Sequence, residues 1–158
     1  MDRLEIAEMM NRQRVMVLST YGTFETAQEG ADACSWAAPV YFVHEWQPGT
    51  LILYFQSSPN ALHVRHLHAE PMQSAAIFED HQDWRQIKGL QMRGKVQEVQ
   101  TSDLGHVQQR YLQKFPWAEP LIAQASRNGS SIRWFALHVV ELYQVDNRQG
   151  FGRRKVEI

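Results

Sequence analysis

The sequence predicts an all-β-dominated domain in which six antiparallel strands form a barrel with helices at its periphery. Three observations lead to this expectation. Segments rich in β-branched and aromatic residues recur along the chain and are bounded by turn residues. Pro48-Gly49 is a strong turn signal between two of these segments, so the flanking strands form an antiparallel hairpin. The longest helical pattern is amphipathic, as expected of a helix that covers a sheet.

The N-terminal half is predicted to contain three strands and two helices. Residues 2–13 place apolar side chains near helical spacing, so they are expected to form a helix. The β-branched segment 15–20 is the first strand, and the polar region 21–33 is a loop or an irregular hairpin connection. Further strands are expected at 36–43 and 51–55. Ser58 and Pro59 fit the N-cap and first position of a helix that Pro71 stops.

The C-terminal half adds three strands. Residues 72–78 and 87–99 are two of them, and in the second the alternation predicts that Leu90 and Val96 share one face while Gly89 and Lys95 share the other. Residues 101–103 cap an amphipathic helix that Pro116 ends, and a shorter helix is predicted to reach residue 129. The last long strand is predicted at 132–145.

Length, charge and cysteine usage limit the class of protein. At 158 residues the chain is predicted to form one domain, 1–158, which can bury a sound core. A net charge of −1 argues against nucleic acid as a partner. No apolar run approaches the ~20 residues of a membrane helix, and the N-terminus lacks the pattern of a signal peptide. The single Cys34 allows no internal disulfide. We therefore expect a cytoplasmic protein with no membrane partner.

The strand at 36–43 has an unusual centre for an apolar strand. Ala37, Ala38 and Pro39 are small or lack an amide hydrogen, and proline inside a strand belongs at an edge, a bulge or a ligand site. Small side chains let a flat ring approach the backbone. The alternative is an ordinary edge strand packed tightly under a helix.

The turn that follows the next strand has the residue types of an anion site. Ser57, Ser58, Asn60 and His63 place hydroxyls, an amide and an imidazole beside the unpaired amides of a helix start, which favour a phosphate. The alternative is a Ser-Pro helix cap that binds nothing. His66 would share a helix face with His63, but no third ligand of suitable spacing accompanies them, so no metal site is predicted.

The order of these elements carries a resemblance. The strand 36–42, the turn 57–63, the segment Lys88-Gly89-Leu90-Gln91 and the tail 146–154 with its Gly-Phe-Gly-Arg-Arg sequence together resemble the pyridoxamine 5′-phosphate oxidase-like FMN-binding split-barrel family, in a small bacterial branch. The similarity covers roughly Val15 to Arg154.

The resemblance implies a function as well as a fold. It implies a six-stranded antiparallel split barrel that binds FMN noncovalently at a homodimer interface and acts as an oxidoreductase on an unknown small organic substrate. The alternative is a flavin- or haem-binding or sensing protein of the same fold without turnover. No catalytic residue is predicted.

The resemblance also implies which residues contact the cofactor. Small strand residues would lie against the flavin ring, the turn would hold its phosphate, the 88–91 segment would meet the ring, and the tail of one subunit would complete the partner's site: Ala37, Ala38, Pro39, Val40, Ser57, Ser58, Asn60, His63, Lys88, Gly89, Gln91 and Arg153. In the family a lysine or arginine is commoner than histidine at the position of His63. The 88–91 segment is alternatively a solvated strand face with a glycine bulge, and Arg154 can take the role of Arg153.

Overall fold

The computed structural model describes residues 1–24, 32–81, 83–127 and 132–158. These residues form four α-helices and seven strands: α1 Arg3–Arg12, β1 Val15–Phe24, β2 Asp32–Gln47, β3 Thr50–Ser57, α2 Leu62–Ala69, β4 Met72–Phe78, β5 Lys88–Glu98, α3 Thr101–Lys114, α4 Glu119–Arg127, β6 Arg133–Asp146 and β7 Arg153–Val156. Three short 3-10 turns, Trp84–Gln86, Pro116–Ala118 and Asn147–Gln149, lie between them.

Six of the strands form a closed antiparallel ring. The order is β3-β2-β1-β4-β5-β6, and β6 pairs again with β3. The ring is not a regular barrel, because the long β2 divides between two neighbours: residues 32–41 pair with β1 and residues 42–47 pair with β3. This confirms the predicted six-stranded antiparallel split barrel with peripheral helices.

The core lies in two parts, inside the ring and under α3. Strand alternation fills the interior with apolar side chains, as in β5, where Leu90, Met92 and Val96 are buried and Gln91 points outward. Helices α1 and α2 add side chains to this interior cluster. A second cluster joins α3 to the outer side of β2, β3 and β6, and it contains Val43, Tyr54, Val107, Tyr111, Phe115, Ala118, Trp134 and Ala136.

The start of α2 differs from the prediction. The helix begins at Leu62 and its N-cap is Ala61, which makes no side-chain cap bond, so the prediction of Ser58 as N-cap and Pro59 as first helical residue was wrong. The reason is a tight turn, closed by a hydrogen bond of 3.0 Å from the amide of Ala61 to the carbonyl of Ser58. Proline is favoured at the second position of such a turn.

Two further differences concern strands. β2 extends well beyond the predicted 36–43, and the short β7, which pairs antiparallel with β6 outside the ring, was not predicted. The predicted end of the fourth helix and part of the predicted loop at 21–33 lie outside the described residues. No helix of the described residues is long and apolar enough to cross a membrane.

Candidate functional site

The outward side of the ring has a groove of about 520 Å³. Side chains from β1, β4, β5, β6 and β7 line it, and we call it the outer groove: Val17, Ser19, Ser74, Ala75, Ala76, Gln91, Met92, Arg93, Glu141, Tyr143 and Arg153. Its volume lies within the range of about 300–1,000 Å³ that is usual for small-molecule sites.

The floor of the outer groove consists of small side chains. Strand register places Ser19 between Ala37 and Ser74, and it places Val17 between Pro39 and Ala76. Residues opposite each other in paired strands share a face. The row of small outward side chains therefore continues from β4 through β1 onto β2, so that a planar group can approach the backbone there.

Larger polar side chains form the wall of the groove. The Arg93 guanidinium donates two hydrogen bonds to the Glu141 carboxylate, of 2.8 and 3.1 Å, and this contact lowers the pKa of Glu141. Gln91 lies opposite Tyr143 in the register, and the guanidinium of Arg153 lies 4.4 Å from the centre of the Tyr143 ring. With two arginines and one glutamate, the lining has an excess of positive charge.

The predicted strand motif is divided by the strand alternation. Ala37 and Pro39 are exposed and belong to the outward face, whereas Ala38 and Val40 are buried inside the ring. A ligand in the outer groove can therefore meet the side chains of Ala37 and Pro39. Ala38 and Val40 have only their backbone groups to offer on that face.

The predicted phosphate turn is well ordered and its groups contact one another. Ser57 Oγ lies 2.7 Å from Nε2 of His63, and the amide of Asn60 donates to Ser58 Oγ at 3.3 Å. Because Ala61 provides no side-chain cap, the first amides of α2 remain open to an external acceptor. Burial, with the nearby His66 second, lowers the pKa of His63, so this imidazole is mainly neutral at pH 7.

The next turn of α2 connects the helix to β1 and β2. His66 is 1% exposed, and its Nδ1 lies 3.0 Å from Thr20 Oγ1, which in turn reaches the carbonyl of Trp36 at 3.5 Å. A Cβ at Gly22 would come within 2.5 Å of the His66 ring, so glycine is needed for this close packing. Thr20 follows Ser19 in β1 but points to the interior of the ring, so this contact lies on the opposite face of the strand from the groove floor.

The 88–91 segment contributes one side chain to the groove. Gln91 lines it, whereas Lys88 lies opposite Asp146 at the start of β5. Gly89 faces outward in the row that ends at Arg153, and a Cβ there would lie 3.1 Å from the carbonyl of Ile77. The register shift in β5 falls between Arg93 and Gly94 and not at Gly89.

The structure brings two of the predicted residues, Gln91 and Arg153, into one groove, and it adds residues that the sequence reasoning missed. The sequence does not indicate that Ser19 and Ser74 are neighbours, because β1 and β4 are far apart in sequence. Arg93 and Tyr143 could have been identified from the sequence, because each alternates with core residues in a predicted strand and therefore lies on the outward face of that strand. Among the described residues, no group of three His, Cys, Asp or Glu side chains is arranged to hold a metal ion.

No protein-family model and no curated protein matches the sequence. Solved structures, however, match nearly the whole chain. The conserved hypothetical protein Rv2991 from Mycobacterium tuberculosis is 15% identical with a TM-score of 0.69, and the match covers 99% of this chain and 92% of that one.

Two further matches have titles that refer to cofactors. The FAD-binding protein mll6688 from Mesorhizobium loti is 18% identical with a TM-score of 0.55, over 91% of this chain and 94% of that one. The heme storage protein HutZ from Vibrio cholerae is 19% identical with a TM-score of 0.56, over 89% and 92%. At such identities the likeness establishes a shared fold, and neighbours of this fold include flavin-binding and haem-binding proteins.

Proposed function

We propose that the protein binds FMN noncovalently in the outer groove and serves as an oxidoreductase for a small organic substrate. The observations that support this proposal are the floor of small outward side chains in the outer groove and, separately, a turn before α2 whose first helix amides have no side-chain cap. A ring system needs the first feature and its phosphate needs the second. A bound flavin supplies two-electron chemistry, while the protein supplies position and electrostatics.

The residues present fit the ring of such a cofactor. Ala37 and Pro39 extend the floor, so the ring can approach the backbone of 37–40. The side-chain amide of Gln91 can both donate and accept a hydrogen bond at the polar edge of the ring. Arg153, held over Tyr143, puts a positive charge at the same end of the groove, where it favours electron-rich ligands. Lys88 and Gly89 remain proposed contacts at the far end of β5.

The phosphate would be held by backbone amides and neutral donors. Ser57, Ser58 and Asn60 offer hydroxyls and an amide, and His63 offers an imidazole whose Nε2 already contacts Ser57. Because the pKa of His63 is lowered, we propose that it acts as a hydrogen-bonding group and not as a fixed charge. This arrangement is weaker than one with a lysine.

We further propose that two copies of the chain form a dimer through the outward face. Large apolar side chains on this side of the sheet are exposed, among them Val15 at 38%, Tyr41 at 43% and Phe78 at 58%. Exposed apolar surface around a groove is typical of an interaction site. Sedimentation at micromolar concentration tests the dimer, and a monomer would contradict it.

Haem is a second candidate, and one feature of the groove favours it. Tyr143 lies in the outer groove between cationic side chains, and a tyrosine phenolate is one of the axial ligands of haem iron. Propionates would meet the positive charge of Arg93 and Arg153.

A paired titration tests both candidates. Purified protein is titrated with FMN and, separately, with haemin, following flavin fluorescence and the Soret band. The variant Ala76→Leu fills the floor and is expected to weaken FMN binding at least about tenfold, because a flat ring loses contact with the sheet. Gln97→Leu, on an outward position of β5 outside the groove, is the control.

The outcomes are distinct. FMN binding that A76L weakens and Q97L leaves unchanged supports the flavin proposal. A Soret band that Tyr143→Phe shifts, without FMN binding, supports haem. FMN binding to which A76L makes no difference would remove the outer groove as the site. Reduction of the bound flavin by a nicotinamide cofactor and its reoxidation by an acceptor then separates an enzyme from a carrier.

A further inference from the structure

Two similar turns meet at one end of the outward face. Residues 83–86 and 146–149 share the sequence Asp-x-Arg-Gln, and each turn contains a 3-10 helix. In each, the aspartate accepts hydrogen bonds from the backbone amide and the guanidinium of the arginine two residues later. Asn147 joins the turns, because its amide donates to the carbonyl of Ile87 at 3.0 Å and its side chain donates to the carbonyl of Trp84 at 2.7 Å.

The joined turns present two stacked aromatic rings to solvent. Trp84 is 57% exposed and Phe151 is 80% exposed, and their rings lie 5.4 Å apart with an angle of 9° between the planes. Gly150 and Gly152 flank Phe151 with φ of 105° and 101°, a conformation that other residues rarely adopt. We call Trp84 and Phe151 the aromatic platform. The turn before Phe151 is held by the hydrogen bonds of Asn147, and the strand after it pairs with β6.

Three cationic residues follow the platform directly in the sequence, and the nearby Glu141 carboxylate interacts with Arg153 and Lys155 only at longer range. Arg153, Arg154 and Lys155 are consecutive, and no carboxylate of the described residues lies within 4 Å of any of the three. Arg153 and Lys155 share the groove side of β7, whereas Arg154 donates to Gln149. Arg85 beside Trp84 differs, because Asp83 neutralises it at 2.9 Å.

We propose that the aromatic platform is a binding site for a nucleotide. The base stacks on the free face of Phe151 with Trp84 behind it, and the phosphates meet Lys155, which does not line the outer groove. Aromatic side chains bind bases through stacking, and nearby cations bind the phosphates. The charge decides between occupants, since three consecutive cations without a carboxylate within 4 Å favour a ligand with acidic groups over a purely apolar partner. This inference does not rest on the proposed function.

The test is a calorimetric titration with ADP, in the absence of FMN and again with FMN at saturation. Phe151→Ala is expected to weaken ADP binding about five- to hundredfold, because one stacked base is lost. Trp117→Ala removes another exposed tryptophan, 51% exposed and outside the platform, and is expected to leave ADP binding unchanged. Ribose 5-phosphate, which has no base, should bind weakly and equally to the wild type and F151A.

Four results would overturn the proposal. The first is that ADP does not bind at millimolar concentration, and the second is that the wild type and F151A bind ADP with equal affinity. The third is that ADP and FMN compete for one site. The fourth is that F151A no longer forms a dimer while its affinity for ADP is unchanged. The third result would place ADP in the outer groove, and the fourth would make the platform a contact between copies of the chain. ADP binding with FMN bound, and lost in F151A alone, supports it.

Discussion

Replacing Asp146 with Asn tests how burial changes the value of one hydrogen-bonded ion pair. Asp146 and Asp83 have the same partners in similar turns, since each binds the amide and guanidinium of the arginine two residues later. Their surroundings differ. The Asp146 side chain is 3% exposed and also faces the N-terminal ammonium at 3.5 Å, while the Asp83 side chain is 34% exposed.

The magnitude follows from the pKa of Asp146. The hydrogen bonds from the Arg148 side chain lower this pKa from 3.8 to about 2. Because 1.36 kcal/mol corresponds to a tenfold change in the proton affinity, ionised Asp146 contributes about 2 kcal/mol to folding at neutral pH. The folded-state pKa lies below the unfolded one, so this contribution is complete above pH ~4 and is lost as the pH falls through about 2.

The assay is urea unfolding of the wild type, Asp146→Asn and Asp83→Asn at several pH values. D146N is expected to lower the free energy of unfolding by about 2 kcal/mol or more at pH 7, since Arg148 then keeps only Glu5 as a charged partner. The difference from the wild type should shrink between pH 4 and pH 2. D83N should change stability much less, because water screens its ion pair. Equal effects of D146N and D83N at pH 7 would refute the reasoning from burial.

Three further predictions concern single side chains. His63→Ala should weaken FMN retention at pH 8, where the lowered pKa leaves the imidazole neutral and one hydrogen-bonding group is lost, whereas His63→Lys should strengthen retention; fluorescence titration checks both. Lys114→Met should lower the free energy of unfolding by about 2–4 kcal/mol, because three backbone carbonyls lose a charged donor, while the exposed neighbour Gln113→Met should not. Gly22→Ala should destabilise the fold by about 1–3 kcal/mol, because its Cβ clashes with the His66 imidazole. Gly105→Ala lies in α3 with open space around it and should stabilise the fold slightly. The denaturant midpoints of the two variants should therefore shift in opposite directions.

Much of the fold could be predicted from the sequence, because strand alternation and turn residues are local signals. In β5 the predicted faces are the observed ones, with Leu90 inside and Gln91 outside. β7 could not be predicted, because its residues Arg153–Val156 are mostly charged and exposed, and its pairing uses backbone groups that any sequence has. The start of α2 was wrong by three residues because Pro59 suits both a helix start and a turn.

The candidate site was less predictable than the fold. A groove across several strands depends on register, which places Ser19 beside Ser74 although β1 and β4 are separated by two strands and a helix in sequence. The sequence pattern predicts that residues 37–40 contact the ligand together, but the strand alternation places their side chains on two opposite faces. The pKa of His63 is lowered mainly because the folded chain buries its imidazole, and this burial cannot be read from composition or residue spacing.

The position of the positive charge is the main physical argument about the ligand. The sequence from Gln56 to Val64 contains no lysine or arginine, and the imidazole of His63 is mainly neutral at pH 7. Arg133 lies opposite Ser57 in the register but already faces Glu98 at 3.7 Å, so a phosphate at this turn depends mostly on amides and hydroxyls. Arg93 and Arg153, by contrast, put charge at the wall of the outer groove. A ligand with its acidic groups near that wall gains more from these cations than one with its phosphate at the turn. Comparing the affinity for FMN with the affinity for haem therefore tests how well the backbone amides at the start of α2 can replace a lysine or arginine as the partner of the phosphate.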